Sequence, residues 1–169
     1  YNSDFGNRSG SAYIFKRDEG GPENWGQVAK LLPSNGSAVQ IFGTSVAVSG
    51  NTVIVGSNNG AYIYDRNEGG LDNWGEVQIL LPNDIVMGDA FGQHVAIYRD
   101  TAVVSALADD DLGEDSGSVY IFERNEGGTN NWGQVAKLLP STIEADDRFG
   151  GVGLDIDADT LAVGSYRDD

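Results

Sequence analysis

The chain contains no cysteine. A disulfide framework and a thiolate-bound metal are therefore excluded, and the redox compartment leaves no trace in the thiols. Histidine is nearly as scarce. His94 is the only one and has no cysteine to act with, so it reads as a sheet residue rather than a base. Basic residues number 10 against 26 acidic ones, for a formal net charge of −16. Nucleic acid and anionic membrane surfaces both require a basic face, so this balance argues against either as a partner. No apolar run approaches the length of a membrane span. No signal peptide is legible at Tyr1, as would equally hold for a mature or excised segment. Long helix-favouring runs are missing, whereas glycine occurs 24 times; many tight turns and an all-β protein follow.

What the chain does contain is repetition. The stretch Asn24-Trp25-Gly26-Gln27-Val28-Ala29-Lys30-Leu31-Leu32-Pro33 recurs in varied form as Asn73 to Pro82 and again, unchanged, as Asn131 to Pro140. The pairs Phe42-Gly43, Phe91-Gly92 and Phe149-Gly150 keep the same two intervals, 49 and 58 residues, as the tryptophans. One loop accounts for the difference. Ser57 and Gly60 are joined through Asn58-Asn59 alone, but the equivalent connection in the next repeat runs from Leu107 to Gly117.

Each repeat reads as four short strands. Val46-Ala47-Val48 and Thr52-Val53-Ile54-Val55 are joined by the polar turn Ser49-Gly50-Asn51, a hairpin signature. Val53-Ile54-Val55 is apolar at consecutive positions, so such strands should be covered on both faces. Third strands follow, with aromatics at every second residue (Tyr13 and Phe15, Tyr62 and Tyr64, Tyr120 and Phe122) and hence on common faces. A fourth strand ends at Pro33, Pro82 or Pro140, since proline cannot donate to a ladder. The reading is all-β: β-propeller blades of four antiparallel strands, about three blades' worth. Residues 1–33 supply third and fourth strands, 34–82 and 83–140 whole blades, and 141–169 first and second strands. The two halves are complementary. Propellers close with about four to eight blades, so the expected partners are further repeats of a longer chain or other copies in a homo-oligomer.

These residues resemble the FG-GAP repeat, the blade unit of the propeller in integrin α subunits and of many bacterial surface proteins. Phe-Gly at 42, 91 and 149 stands for the "FG". Val55-Gly56-Ser57, Val104-Ser105-Ala106 and Val163-Gly164-Ser165 stand for the "GAP", each without its proline. Gly117-Ser118-Val119-Tyr120-Ile121-Phe122 matches the motif that follows. The resemblance implies a propeller, an extracellular or cell-surface location and a non-enzymatic structural or adhesive role. Integrin-type blades carry an Asp-x-Asp-x-Asp-Gly-x-x-Asp calcium loop after the "FG" strand. Here that connection is only Ser49-Gly50-Asn51 or Tyr98-Arg99-Asp100, too short to wrap an ion that takes about six to eight oxygens. The family's calcium site does not carry over.

Three sets of residues are candidates for binding. Asp109, Asp111 and Asp115 lie in a loop where five carboxylates crowd into seven residues; a calcium ion would relieve their repulsion, and a solvated acidic loop is the alternative. Asp155, Asp157 and Asp159 alternate along a strand and its turn, offering a second metal candidate or merely a hairpin tip. Trp25, Trp74 and Trp132 recur once per repeat and would give a lectin-like surface for glycans if exposed, or blade-edge packing if not. Asn7-Arg8-Ser9 and Asn35-Gly36-Ser37 are glycosylation sequons, meaningful only in a secreted eukaryotic protein. A metal-assisted hydrolase would need carboxylates from different blades to converge, and nothing in the sequence brings them together.

Overall fold

The computed structural model describes residues 4–38, 40–58 and 60–168. Asn59, half of the short Asn58-Asn59 connection, lies outside them. Twelve strands and no helix make up the described residues. They form four successive antiparallel sheets. The first pairs β1 (Ala12–Arg17) with β2 (Trp25–Leu31). The second is β3 (Val46–Ser49), β4 (Thr52–Ser57), β5 (Gly60–Asp65) and β6 (Gly75–Leu80), in that order. The third repeats the pattern with β7 (Phe91–Tyr98), β8 (Thr101–Ala106), β9 (Ser118–Arg124) and β10 (Trp132–Leu138). The last pairs β11 (Leu154–Asp157) with β12 (Thr160–Val163). These are propeller blades, and the set is not closed.

The sheets stack because the first three carry apolar side chains on both faces and the last carries them on one. Tyr62 and Tyr64 of the second sheet, with Val53 and Val55, pack on Ala12 and Leu31 of the first. From its opposite face Ile54, Ala61, Ile63 and Leu80 meet Tyr120, Phe122, Val104 and Trp132 of the third. Val103 and Val119, turned the other way, meet Leu154, Ile156, Leu161 and Val163 of the fourth. Every residue of β4 is buried, as the unbroken apolar run requires.

The "FG" motif is a wedge between consecutive sheets. Phe42 meets the rings of Tyr62 and Tyr64 edge-on at 5.2 and 6.2 Å, and Phe91 meets Tyr120 and Phe122 at 5.6 and 6.2 Å. The glycine that follows passes close to the preceding sheet. At Gly92, with φ +99, an added Cβ would collide with the carbonyls of Ser57 and Gly60, so only glycine satisfies both the backbone angle and the approach.

The outermost strand pairs share an irregularity that alternation alone does not reveal. The ladder skips a residue at Val28, at Val77 and at Val135, each opposite the middle of the third-type strand. These β-bulges put Gln78 and Glu76 out of simple period-two register and increase the twist of the outer edge.

Replacing Gly92 with alanine should cost about 2 kcal/mol or more, from the left-handed backbone angle and the clash together. Chemical denaturation of the variant against the parent measures it; Gly50→Ala, in open space at a hairpin tip, should cost clearly less.

Candidate functional site

Three identical sequence contexts place tryptophan in three different environments. Trp25 opens β2 and is 67% exposed, Trp74 is partly buried against the first two sheets, and Trp132 is 2% exposed. The order follows the stacking. Trp132 packs on the sheet before its own, where the amide of Gln78 accepts from Trp132 N–H and donates to Trp132 C=O, both at 2.7 Å. Trp25 has no such preceding sheet among the described residues. Two of the three glycan candidates are therefore largely spent on packing, and Trp25 with the half-exposed Tyr13 and Phe15 forms the accessible aromatic row.

Over Trp132 lies Arg124, its guanidinium 4.8 Å from the ring centroid. It donates to Asp65 at 2.8 and 3.3 Å and to the Thr52 hydroxyl at 2.6 Å, and its Nε is 2.8 Å from Asp100. Burial raises the Asp65 carboxyl, but the hydrogen bonds from Arg124 and Thr52 outweigh it and hold the group below the usual carboxylate range. Arg124 thus ties the second sheet to the third. The signal available in the sequence was an arginine at the end of each third strand, at 17, 66 and 124.

The acidic loop between β8 and β9 is folded around Lys137 of β10. The ammonium lies 2.9 Å from Asp84, 2.9 Å from Asp109 and 2.6 Å from Asp111. Asp109 is almost fully buried and accepts from Ser118 at 3.0 Å, Tyr120 at 2.9 Å and the Asp111 N–H at 3.1 Å. Burial pushes Asp109 up, yet the hydrogen bonds from Lys137, Asp111, Tyr120 and Ser118 hold it below the usual value. Burial likewise pulls the Lys137 ammonium down, while Asp111, Tyr120, Asp84 and Asp109 together raise it well above an ordinary lysine. Asp115 points elsewhere, to Arg148 at 2.6 Å. Asp109 and Asp111 are thus brought together with Asp84, which the sequence reading did not include, and Asp115 is not. Among the described residues no three His, Asp or Glu side chains are arranged to hold a metal ion.

Asp155 and Asp157 lie on the exposed face of β11, and Asp159 sits in the turn, accepting from the Thr160 hydroxyl at 3.2 Å. By strand register, Asp155 stands where the preceding sheets have Ala47 and Ala96. His94 Nε2 is 3.2 Å from the Gly151 carbonyl, bridging to the loop before β11.

A family model described as FG-GAP repeat matches residues 25–71, 74–122 and 132–169. The chain belongs to the FG-GAP repeat family. No curated protein matches it. The first two FG-GAP matches each start in the outermost strand of one sheet and run on through the first three strands of the next, so the repeat in sequence straddles the seam between sheets in space.

Trp132→Ala should lose about 3–5 kcal/mol of stability, whereas Trp25→Ala, at an exposed site, should stay within about 0.5 kcal/mol; paired denaturation curves decide it. The depressed Asp65 and Asp109 carboxyls contribute stability that is complete above the ordinary carboxylate value near about 4 and is lost as the pH falls below it. Melting temperature followed on acidification should therefore fall through that window, and fall less steeply in Lys137→Met.

Proposed function

We propose that this FG-GAP chain is a non-enzymatic structural and adhesive module of the cell exterior, its free sheet edges completed by strands of the same repeat type. Those strands come from neighbouring repeats or from another copy of the chain. The observation that carries the reading is the match between two edges. In both four-stranded sheets the second strand pairs with the third in one register, Thr52 opposite Asp65 and Val55 opposite Tyr62, Thr101 opposite Glu123 and Val104 opposite Tyr120. Among the described residues β12 has no partner on its second-strand edge, and β1 has none on its third-strand edge.

Carrying the register over sets Thr160 opposite Lys16, Leu161 opposite Phe15, Ala162 opposite Ile14 and Val163 opposite Tyr13. It also sets Asp159 beside Arg17, where Asp100 stands beside Arg124. The acidic tip of the last sheet and the basic end of β1 are thus complementary in charge. Next to β1, Val46 and Val48 are 58% and 67% exposed and share an apolar notch with Ala12, Ile14 and Phe15. An added strand pair would cover them, and an open strand edge is a template for such an addition.

A second reading, glycan stacking, draws on the exposure of Trp25 with Tyr13 and Phe15. It would use the same surface, so the two readings compete for it.

Light scattering of the 169-residue chain over a range of concentrations should give a mass above the monomer that rises with concentration. Arg17→Glu or Asp159→Lys alone should lower it, and the two together should restore it. A compact monomer at every concentration would count against completion by copies. Glycan-array binding that disappears in Trp25→Ala would favour the second reading.

A further inference from the structure

We propose that the loop between β8 and β9 is a cation site whose permanent occupant is the chain's own Lys137 ammonium, so that its order does not depend on divalent metal. The loop and the segment before β7 bring Asp84, Asp89, Asp109, Asp110, Asp111, Glu114 and Asp115 around one notch. Such a gathering of like charge is unfavourable unless a cation enters it. Three of these carboxylates converge on one nitrogen at 2.6–2.9 Å. An ammonium has three N–H donors, and three acceptors match it. The Tyr120 ring, 5.1 Å away, closes the remaining side. Because the charge is borne on β10, it is delivered by folding itself, without the entropy cost of capturing a free ion.

A second, independent observation comes from the other repeats. Lys30 occupies the same position in β2 and pairs with Asp4, the residue that aligns with Asp111, while its Nζ lies 6.0 Å from the Tyr13 ring. In the sheet where the long loop is replaced by Asn58-Asn59, the position holds Ile79. The lysine occurs together with an aspartate at this one loop position, and where the loop is shortened the lysine is missing too.

The chain has three lysines, Lys16, Lys30 and Lys137, so site-resolved acylation with mass spectrometry reads the occupant directly. Lys137 should react slowest and Lys16 fastest. Hydrogen exchange of residues 107–117 should be the same in chelator and in millimolar calcium. In Lys137→Met, exchange there should rise about tenfold or more. Metal-dependent protection of the parent chain overturns the proposal, as does an unchanged loop in Lys137→Met. If Lys137→Met does not fold, Asp111→Asn serves instead: Asp111 is half exposed, and its loss should speed acylation of Lys137 several-fold while leaving Lys16 unchanged. Equal rates at Lys137 in parent and Asp111→Asn overturn the assignment.

Discussion

The constraint on which this molecule rests is face-to-face packing between sheets that are apolar on both sides. A two-stranded ribbon is marginal in water, and even four strands with both faces exposed would leave a large apolar surface wet. The second sheet escapes this only because the first covers its tyrosines and the third covers its isoleucines. The two faces are not equivalent. One carries aromatics at alternate positions of the third strand, the other carries branched aliphatics. At the first two seams an aromatic face meets an aliphatic one, with the phenylalanine of the "FG" pair inserted between them; at the third, Val103 and Val119 meet the aliphatic Leu154, Ile156, Leu161 and Val163. Stacking therefore has a direction, and each sheet specifies what its neighbour must be.

The charged residues follow that geometry rather than set it. Arg124 sits where two sheets meet and gathers Asp65, Asp100 and the ring of Trp132. Lys137 sits under the loop between β8 and β9 and gathers the carboxylates that would otherwise repel. Both groups are partly withdrawn from water, where a charge left without its partner is costly. The repeat in sequence and the sheet in space are offset, so the family motif itself spans a seam. A repeat of this kind is a connector between two sheets as much as it is a sheet.

Much of the architecture was legible in the residues. Recurrence of Asn-Trp-Gly and Phe-Gly at matched intervals fixed the register of the repeats. Alternating aromatics fixed the faces of β5 and β9, and Val53-Ile54-Val55 announced burial on both sides. The bulges at Val28, Val77 and Val135 were not legible, because nothing in Gly-Gln-Val-Ala or Gly-Glu-Val-Gln distinguishes a bulged strand from a regular one. The acidic loop drew attention to its own carboxylates, whereas Asp84, far away in the chain, and Lys137, one strand further on, complete the cluster. Sequence adjacency groups Asp115 with Asp109; the fold sends Asp115 to Arg148 instead.

The sequence by itself determined the strand pattern, the four-strand period and the need of each sheet for neighbours, because side-chain alternation and turn chemistry act over a few residues. Only the tertiary structure decided what each repeated residue does. Asn24-Trp25-Gly26 and Asn131-Trp132-Gly133 are the same three residues, yet one indole is largely in water and the other is sealed beneath Arg124. The difference lies in whether a preceding sheet stands beside it. Burial is a property of neighbours, and neighbours are assigned by stacking.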